Sequence, residues 1–133
     1  MVRLANRMMM RRVRRQGKVV GDASGLVLTT IGAKSGVERQ SPLRWFPSPD
    51  GPRLIVASAG GAPGNPAWYH NLKAHPDRVR IEIGTETLDV TASQLHGAER
   101  EQAWRQITAT APQFGAYQRK TDREIPVIRL TPR

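Results

Sequence analysis

Apolar and polar positions fall into short blocks along this chain, and the change of period from block to block separates strands from helices. Residues 26–31, Leu-Val-Leu-Thr-Thr-Ile, are apolar or β-branched without interruption, the pattern of a buried strand. A second strand is expected over 37–46, with Pro42 marking an edge or a bulge because it cannot donate to a ladder. Beyond a Pro-Ser-Pro-Asp-Gly-Pro turn, residues 53–58 (Arg-Leu-Ile-Val-Ala-Ser) read as a third. Strands four and five, 78–83 and 86–95, are joined by Gly84-Thr85 as a two-residue turn, and a sixth occupies 125–130.

Helical spacing appears four times. Met1, Leu4, Ala5, Met8, Met9 and Val13 recur on one face of a basic amphipathic helix whose other positions are largely arginine. Asn65-Pro66 predicts a helix start, with a side-chain cap and proline at the first helical position, and the helix stops near His75-Pro76. Over 98–110, Ala103, Trp104 and Ile107, with Ala111 beyond them, lie along one stripe that should face a sheet; a short helix over 113–120 brings Phe114 and Tyr117 together. The fold class is α+β, mainly antiparallel β: a small barrel of about six strands with flanking helices.

Charge divides the chain. Of a net +10, the first twenty residues hold seven cations and no acid, so the remainder carries only +3. This suggests a basic arm, 1–20, ahead of one folded domain, 21–133. The arm can pack on its own domain or a partner subunit, or lie on an anionic membrane. With only seven aromatic residues and no RNP or zinc-finger pattern, a specific nucleic-acid partner is not expected. The absence of cysteine excludes a disulfide framework and a thiolate nucleophile. No apolar run approaches the roughly eighteen residues that cross a bilayer. The expected location is the cytoplasm, with the arm offering a route to the inner face of the cell membrane. His70 and His75 are five apart and His96 stands alone, so no metal site is expected, and there is no nucleophile elbow.

Two segments carry candidate chemistry. Gly32 and Gly36 bracket Ala33-Lys34-Ser35 after the first strand, and Arg39 follows on the return. A bent tip with free N–H groups, an ammonium and a hydroxyl suits a phosphate or carboxylate; the same residues also make an ordinary solvated hairpin tip. The glycine-rich stretch 58–64 cannot hold regular structure and lets a ligand approach the backbone closely.

Three separated segments, Gly32-Ala33-Lys34-Ser35-Gly36 with Arg39 and Pro42, then Ser58 through Asn65-Pro66-Ala67-Trp68-Tyr69-His70-Asn71-Leu72, then Tyr117-Gln118 with Thr121-Asp122-Arg123-Glu124-Ile125-Pro126, closely resemble the deazaflavin-dependent nitroreductase family. The resemblance runs from about residue 26 to the C-terminus. It implies a split β-barrel and hydride transfer from reduced coenzyme F-420 to a quinone, nitroaromatic or similar conjugated acceptor. Flavin mononucleotide is the alternative cofactor, and a coenzyme-binding or membrane-associated protein with little turnover is the alternative function.

By position, the resemblance implies that Lys34, Ser35, Arg39 and Ser41 hold the phosphate and anionic tail, with Ala33, Gln40 and His70 in the same coenzyme set. Pro42, Leu43 and Arg44 would line the coenzyme's length. The backbone of Val56, Ala57, Ser58 and Ala59 would border the ring, and Ala67, Trp68, Tyr69 and Asn71 would form the far wall. Phe114 and Tyr117 would face the acceptor, and solvent or a hydroxyl of Ser58, Tyr69 or Tyr117 would supply a proton. Phe114, Ala111 and Arg44 replace aromatic residues of the family's best-known nitroreductase, which puts activity on bicyclic nitroimidazoles in question. A homodimer is expected by analogy with related barrels.

Overall fold

A computed structural model describes residues 4–133. In order, the elements are α1 (Leu4–Gln16), β1 (Gly25–Ile31), β2 (Glu38–Arg44), β3 (Phe46–Pro47), β4 (Arg53–Val56), a single 3-10 turn (Ala59–Gly61), α2 (Ala67–Ala74), β5 (Val79–Ile83), β6 (Glu86–Gln94), α3 (Gly97–Thr110), α4 (Gln113–Arg119) and β7 (Val127–Pro132). The strands form one antiparallel sheet in the order β2-β1-β5-β6-β7-β4-β3.

The second expected strand is two. Arg44 pairs with Gly25 at one edge of the sheet, whereas Phe46 pairs with Leu54 at the other. One residue, Trp45, spans the two edges, its N–H donating to the carbonyl of Ser24 at 3.0 Å. Edges that meet across a single residue require the sheet to curl back on itself, giving seven strands in a half-closed barrel with four helices around it. Pro42 lies on the edge strand β2, as its missing N–H requires.

β1 is apolar or β-branched along its length after Gly25, because both of its faces are covered. Leu26 and Leu28 point into the barrel with Ile55, Ile81, Ile128 and Leu130, while Val27 points outward beneath Met10 and Val13 of α1. Leu26, Val27, Leu28 and Val13 are fully buried. The stripe of α3 packs as its spacing predicts: Ala103, Ile107 and Ala111 are buried with Phe46, Leu54 and Val127, and Trp104 lies partly buried beside them.

Two local expectations change. On α1, Leu4 and Met8 are 72% and 62% exposed, and the buried contacts come from Met10 and Val13; Met1 lies outside the described residues. Of the expected stripe, Val13 is buried and Met9 packs partly against the same cluster, so the packed face is rotated from the expected one toward Met10. Arg14 fixes the docking angle: its guanidinium reaches both carboxylate oxygens of Glu82 on β5 at 3.1 Å and Gln40 on β2 at 3.5 Å. That carboxylate raises the pKa of Arg14, first by hydrogen bonding and then by its charge, against an opposing effect of burial. At α2, Pro66 occupies the cap position with extended backbone and no side-chain cap forms. Asn65 is engaged elsewhere, its Oδ1 accepting from Arg123 Nη1 at 2.7 Å, a charge-assisted bond stronger than the neutral cap it replaces.

Candidate functional site

The β1–β2 tip is built around a close approach. A Cβ on Gly32 would run into Ser35 Oγ and stand 3.2 Å from the carbonyl of Val37, so a side chain there would displace Ser35 and crowd the closed tip. Gly32 N–H donates to Val37 O and Gly36 N–H to Gly32 O, and Ser35 Oγ accepts from Val37 N–H. Gly36, with φ of 70°, makes the return.

Asn71 on α2 ties this tip to the helix. Its Oδ1 accepts from Ala33 N–H at 3.0 Å and its Nδ2 donates to Thr30 Oγ1 at 3.3 Å. The carboxamide, 8% exposed, is thereby committed to holding the loop. Among the described residues, the N–H groups of Lys34 and Ser35 keep no internal partner. They remain with the Lys34 ammonium and the Arg39 guanidinium, neither of which meets a carboxylate among the described residues.

Between the tip, β2 and the start of α2 lies an open cleft of about 1030 Å³. It brings together Ala33, Lys34, Ser35, Arg39, Gln40, Ser41, Ala67, Trp68, His70 and Asn71. Gly32, expected only as a bracket of the tip, also lines it, and two walls, Glu38 and Asn6, were given no role by the sequence. Glu38 leans toward Arg80 at 3.5 Å. Asn6 reaches the cleft only because α1 docks on the sheet, and no local signal in the sequence marks it.

Other expected residues lie outside this cleft. Pro42, Leu43 and Arg44 continue β2 toward the Trp45 crossing, where Arg44 stacks over Phe46 at 4.8 Å. Val56 and Ala57 are buried, and Ala57 N–H is taken by Pro126 O. Tyr69 is 6% exposed within the barrel core and its phenol donates to Gln94 Oε1 at 2.7 Å, so this hydroxyl is occupied. Ser58 and Ala59 lie on the loop between β4 and α2, against α4. There Phe114 sits edge-on between Phe46 and Tyr117, with ring centroids 5.6 and 5.4 Å away. The backbone of Gly61 meets that helix so closely that an added Cβ would stand 2.7 Å from Tyr117 O.

Arg123, which the sequence reading quoted in a motif without giving it a role, gathers this loop. Nη1 donates to Ala57 O at 3.2 Å as well as to Asn65, Nη2 to Ser58 O at 2.8 Å and Nε to Ala62 O at 3.0 Å.

A curled antiparallel sheet, with an open cleft that presents cations and backbone donors unpaired among the described residues beside a buried indole, defines a split-barrel protein. The chain belongs to the family described as F420H(2)-dependent quinone reductase, whose model matches residues 1–132. It is 40% identical over 119 residues to the F420H(2)-dependent quinone reductase Rv1261c of Mycobacterium tuberculosis (strain ATCC 25618 / H37Rv), covering 87% of this chain and 78% of that protein. Among solved structures, an F420-H2 dependent reductase, FDR-A, is 43% identical with a TM-score of 0.70, covering 80% of this chain and 92% of that one. A second, described as a domain-swapped dimer, is 40% identical with a TM-score of 0.72, covering 93% and 95%.

Proposed function

We propose that this protein is an F-420-dependent reductase that passes a hydride from the reduced deazaflavin to a quinone or related conjugated acceptor. The observation that carries this reading is the cleft. Lys34, Arg39 and the N–H groups of Lys34 and Ser35 form a donor set with no acceptor among the described residues, suited to a phosphate and carboxylates, and Trp68 and Ala67 give the same cleft an apolar wall. An elongated, negatively charged coenzyme fits these residues.

The bound deazaflavin would supply the hydride, so neither a nucleophile nor a metal is required of the protein. The protein's contribution is binding and orientation. Lys34, Ser35, Arg39, Gln40 and Ser41 hold the anionic end, with charge-assisted bonds providing most of the affinity. Asn71 holds the tip rather than the ligand. The backbone of 56–59 borders the ring, and Phe114 with Tyr117 forms the acceptor side. A hydroxyl of Ser58 or Tyr117, or solvent, delivers the proton, since that of Tyr69 is bonded to Gln94.

Equilibrium titration with F-420 and with flavin mononucleotide tests the cofactor; turnover of menadione by the loaded protein tests the reaction. Binding of F-420 with menadione reduction is expected. Preference for flavin mononucleotide, or binding without turnover, would select one of the alternatives.

A homodimer is the proposed assembly, supported by the 40% identical relative described as a domain-swapped dimer; sedimentation equilibrium checks it. Peripheral membrane contact is supported by the exposed stripe of α1, on which Leu4 and Met8 lie among Arg7, Arg11 and Arg15. Replacing Leu4 and Met8 by serine is expected to lower co-sedimentation with anionic vesicles and leave F-420 affinity unchanged.

A further inference from the structure

We propose that Arg123 is a positioning residue: its guanidinium draws the carbonyls of Ala57 and Ser58 to one side and so aims the N–H groups of Ser58 and Ala59 at the ring of the bound coenzyme. The proposal rests on the reading above that this loop borders the ring.

The geometry follows from peptide planarity. In a trans peptide the carbonyl of one residue and the N–H of the next point in opposite directions, and no peptide bond among the described residues is cis. Arg123 holds the carbonyls of Ala57 and Ser58, so the N–H groups of Ser58 and Ala59 are turned away from it. Neither N–H has a partner among the described residues, nor has that of Gly60, whereas pairing holds up to Ala57 N–H, which binds Pro126 O, and resumes at Gly61 N–H, which binds Ser58 O.

Ser58 is right-handed (φ −78°, ψ −36°), Ala59 has φ of 46° and Gly60 φ of 64°. A right-handed residue followed by left-handed ones turns successive N–H groups into one concavity. Among the described residues Ala59 alone adopts positive φ without being glycine, a conformation that persists where surrounding contacts enforce it. Here the turn bonds from Gly61 N–H to Ser58 O and from Ala62 N–H to Ala59 O, with Lys120 Nζ on Gly60 O at 3.4 Å, hold the tip of the loop, while Arg123 holds both of its shoulders. Arg123 grips the loop near its start through Ala57 and Ser58, and near its end through Ala62 and Asn65, just before Ala67 and Trp68 form the cleft wall.

Only a planar fork with several N–H donors can reach four acceptors at once; a lysine offers a single compact head. Two adjacent, fixed N–H groups suit a ring carbonyl or an oxygen that gains negative charge as the ring changes oxidation state.

The test uses Arg123→Lys and Arg123→Ala, titrated with F-420 and with the same deazaflavin lacking the phosphate and anionic tail. Both ligands should weaken by the same factor, roughly tenfold to a hundredfold for the alanine variant and less for lysine. Lys34→Ala should weaken only the tailed coenzyme. In amide NMR of the wild-type protein, the Ser58 and Ala59 resonances should shift on addition of either ligand.

Wild-type protein that ignores F-420 would remove the functional reading itself. Wild-type binding together with folded Arg123 variants that match it on both ligands would overturn the positioning role alone. So would a loss confined to the tailed coenzyme, or Ser58 and Ala59 amides that do not respond. Should Arg123→Ala not fold, Arg123→Lys and the wild-type amide titration decide.

Discussion

Lys34 and Asn71 meet at the same hairpin tip and do different things there. Lys34 is exposed and free of carboxylates among the described residues, so its removal should cost binding and little else. Lys34→Ala is expected to weaken F-420 binding by about 1.5–3 kcal/mol, roughly tenfold to a hundredfold, with unchanged thermal stability. The loss should shrink as salt is raised, because ions screen an exposed charge. An unaltered dissociation constant at low salt would remove the tip from the site. Asn71 is buried, and Asn71→Ala deprives Thr30 Oγ1 and Ala33 N–H of their partners. A stability loss of about 1–2 kcal/mol in urea unfolding is expected, with weaker coenzyme binding as a secondary result of a loosened tip. From the sequence, the residue types at this tip fit either an anion cradle or a solvated hairpin tip, and the unpartnered N–H groups of Lys34 and Ser35 favour the first. The role of Asn71 was not legible there, because sequence spacing cannot tell a side chain that meets the ligand from one that meets the loop that meets the ligand.

At the scale of elements, β1, α2 and α3 follow from their own patterns, since a buried strand and a one-sided helix leave periodic signals. The β2–β3 break left no such trace. Arg44, Trp45 and Phe46 continue an ordinary strand pattern, and what separates them is that the sheet's two edges lie close together, a long-range fact. α1 is the instructive case, because its many arginines and scattered methionines fit more than one face. The structure selects Met10 and Val13, so Val13→Ala should cost about 1–3 kcal/mol by loss of buried methyl groups and the cavity left behind. Leu4→Ser, on the exposed side, should change stability by less than about 0.5 kcal/mol. Thermal melts of the two variants check both values, and equal effects would mean that the helix is not seated on Val27. Deleting residues 1–20 should then both destabilise the domain and open the wall of the cleft that Asn6 provides.

For the whole molecule, the cleft joins parts of the chain that are distant in sequence: α1, the β1–β2 tip and the start of α2. A ligand that touches all three must stabilise the folded state over the unfolded one, which has no such site. At a free concentration about a hundred times its dissociation constant, F-420 should add about 2.7 kcal/mol to the unfolding free energy. For a chain of this size that corresponds to a rise in melting temperature on the order of 10 °C. Flavin mononucleotide, whose single phosphate engages fewer of the cationic groups, should give a smaller rise at the same concentration. The comparison bears on the site as well as the cofactor, because the F-420 shift should fall in Lys34→Ala measured at the same ligand concentration. Equal shifts from the two cofactors, or an F-420 shift that survives loss of Lys34 at low salt, would place the anionic tail somewhere other than between Lys34 and Arg39.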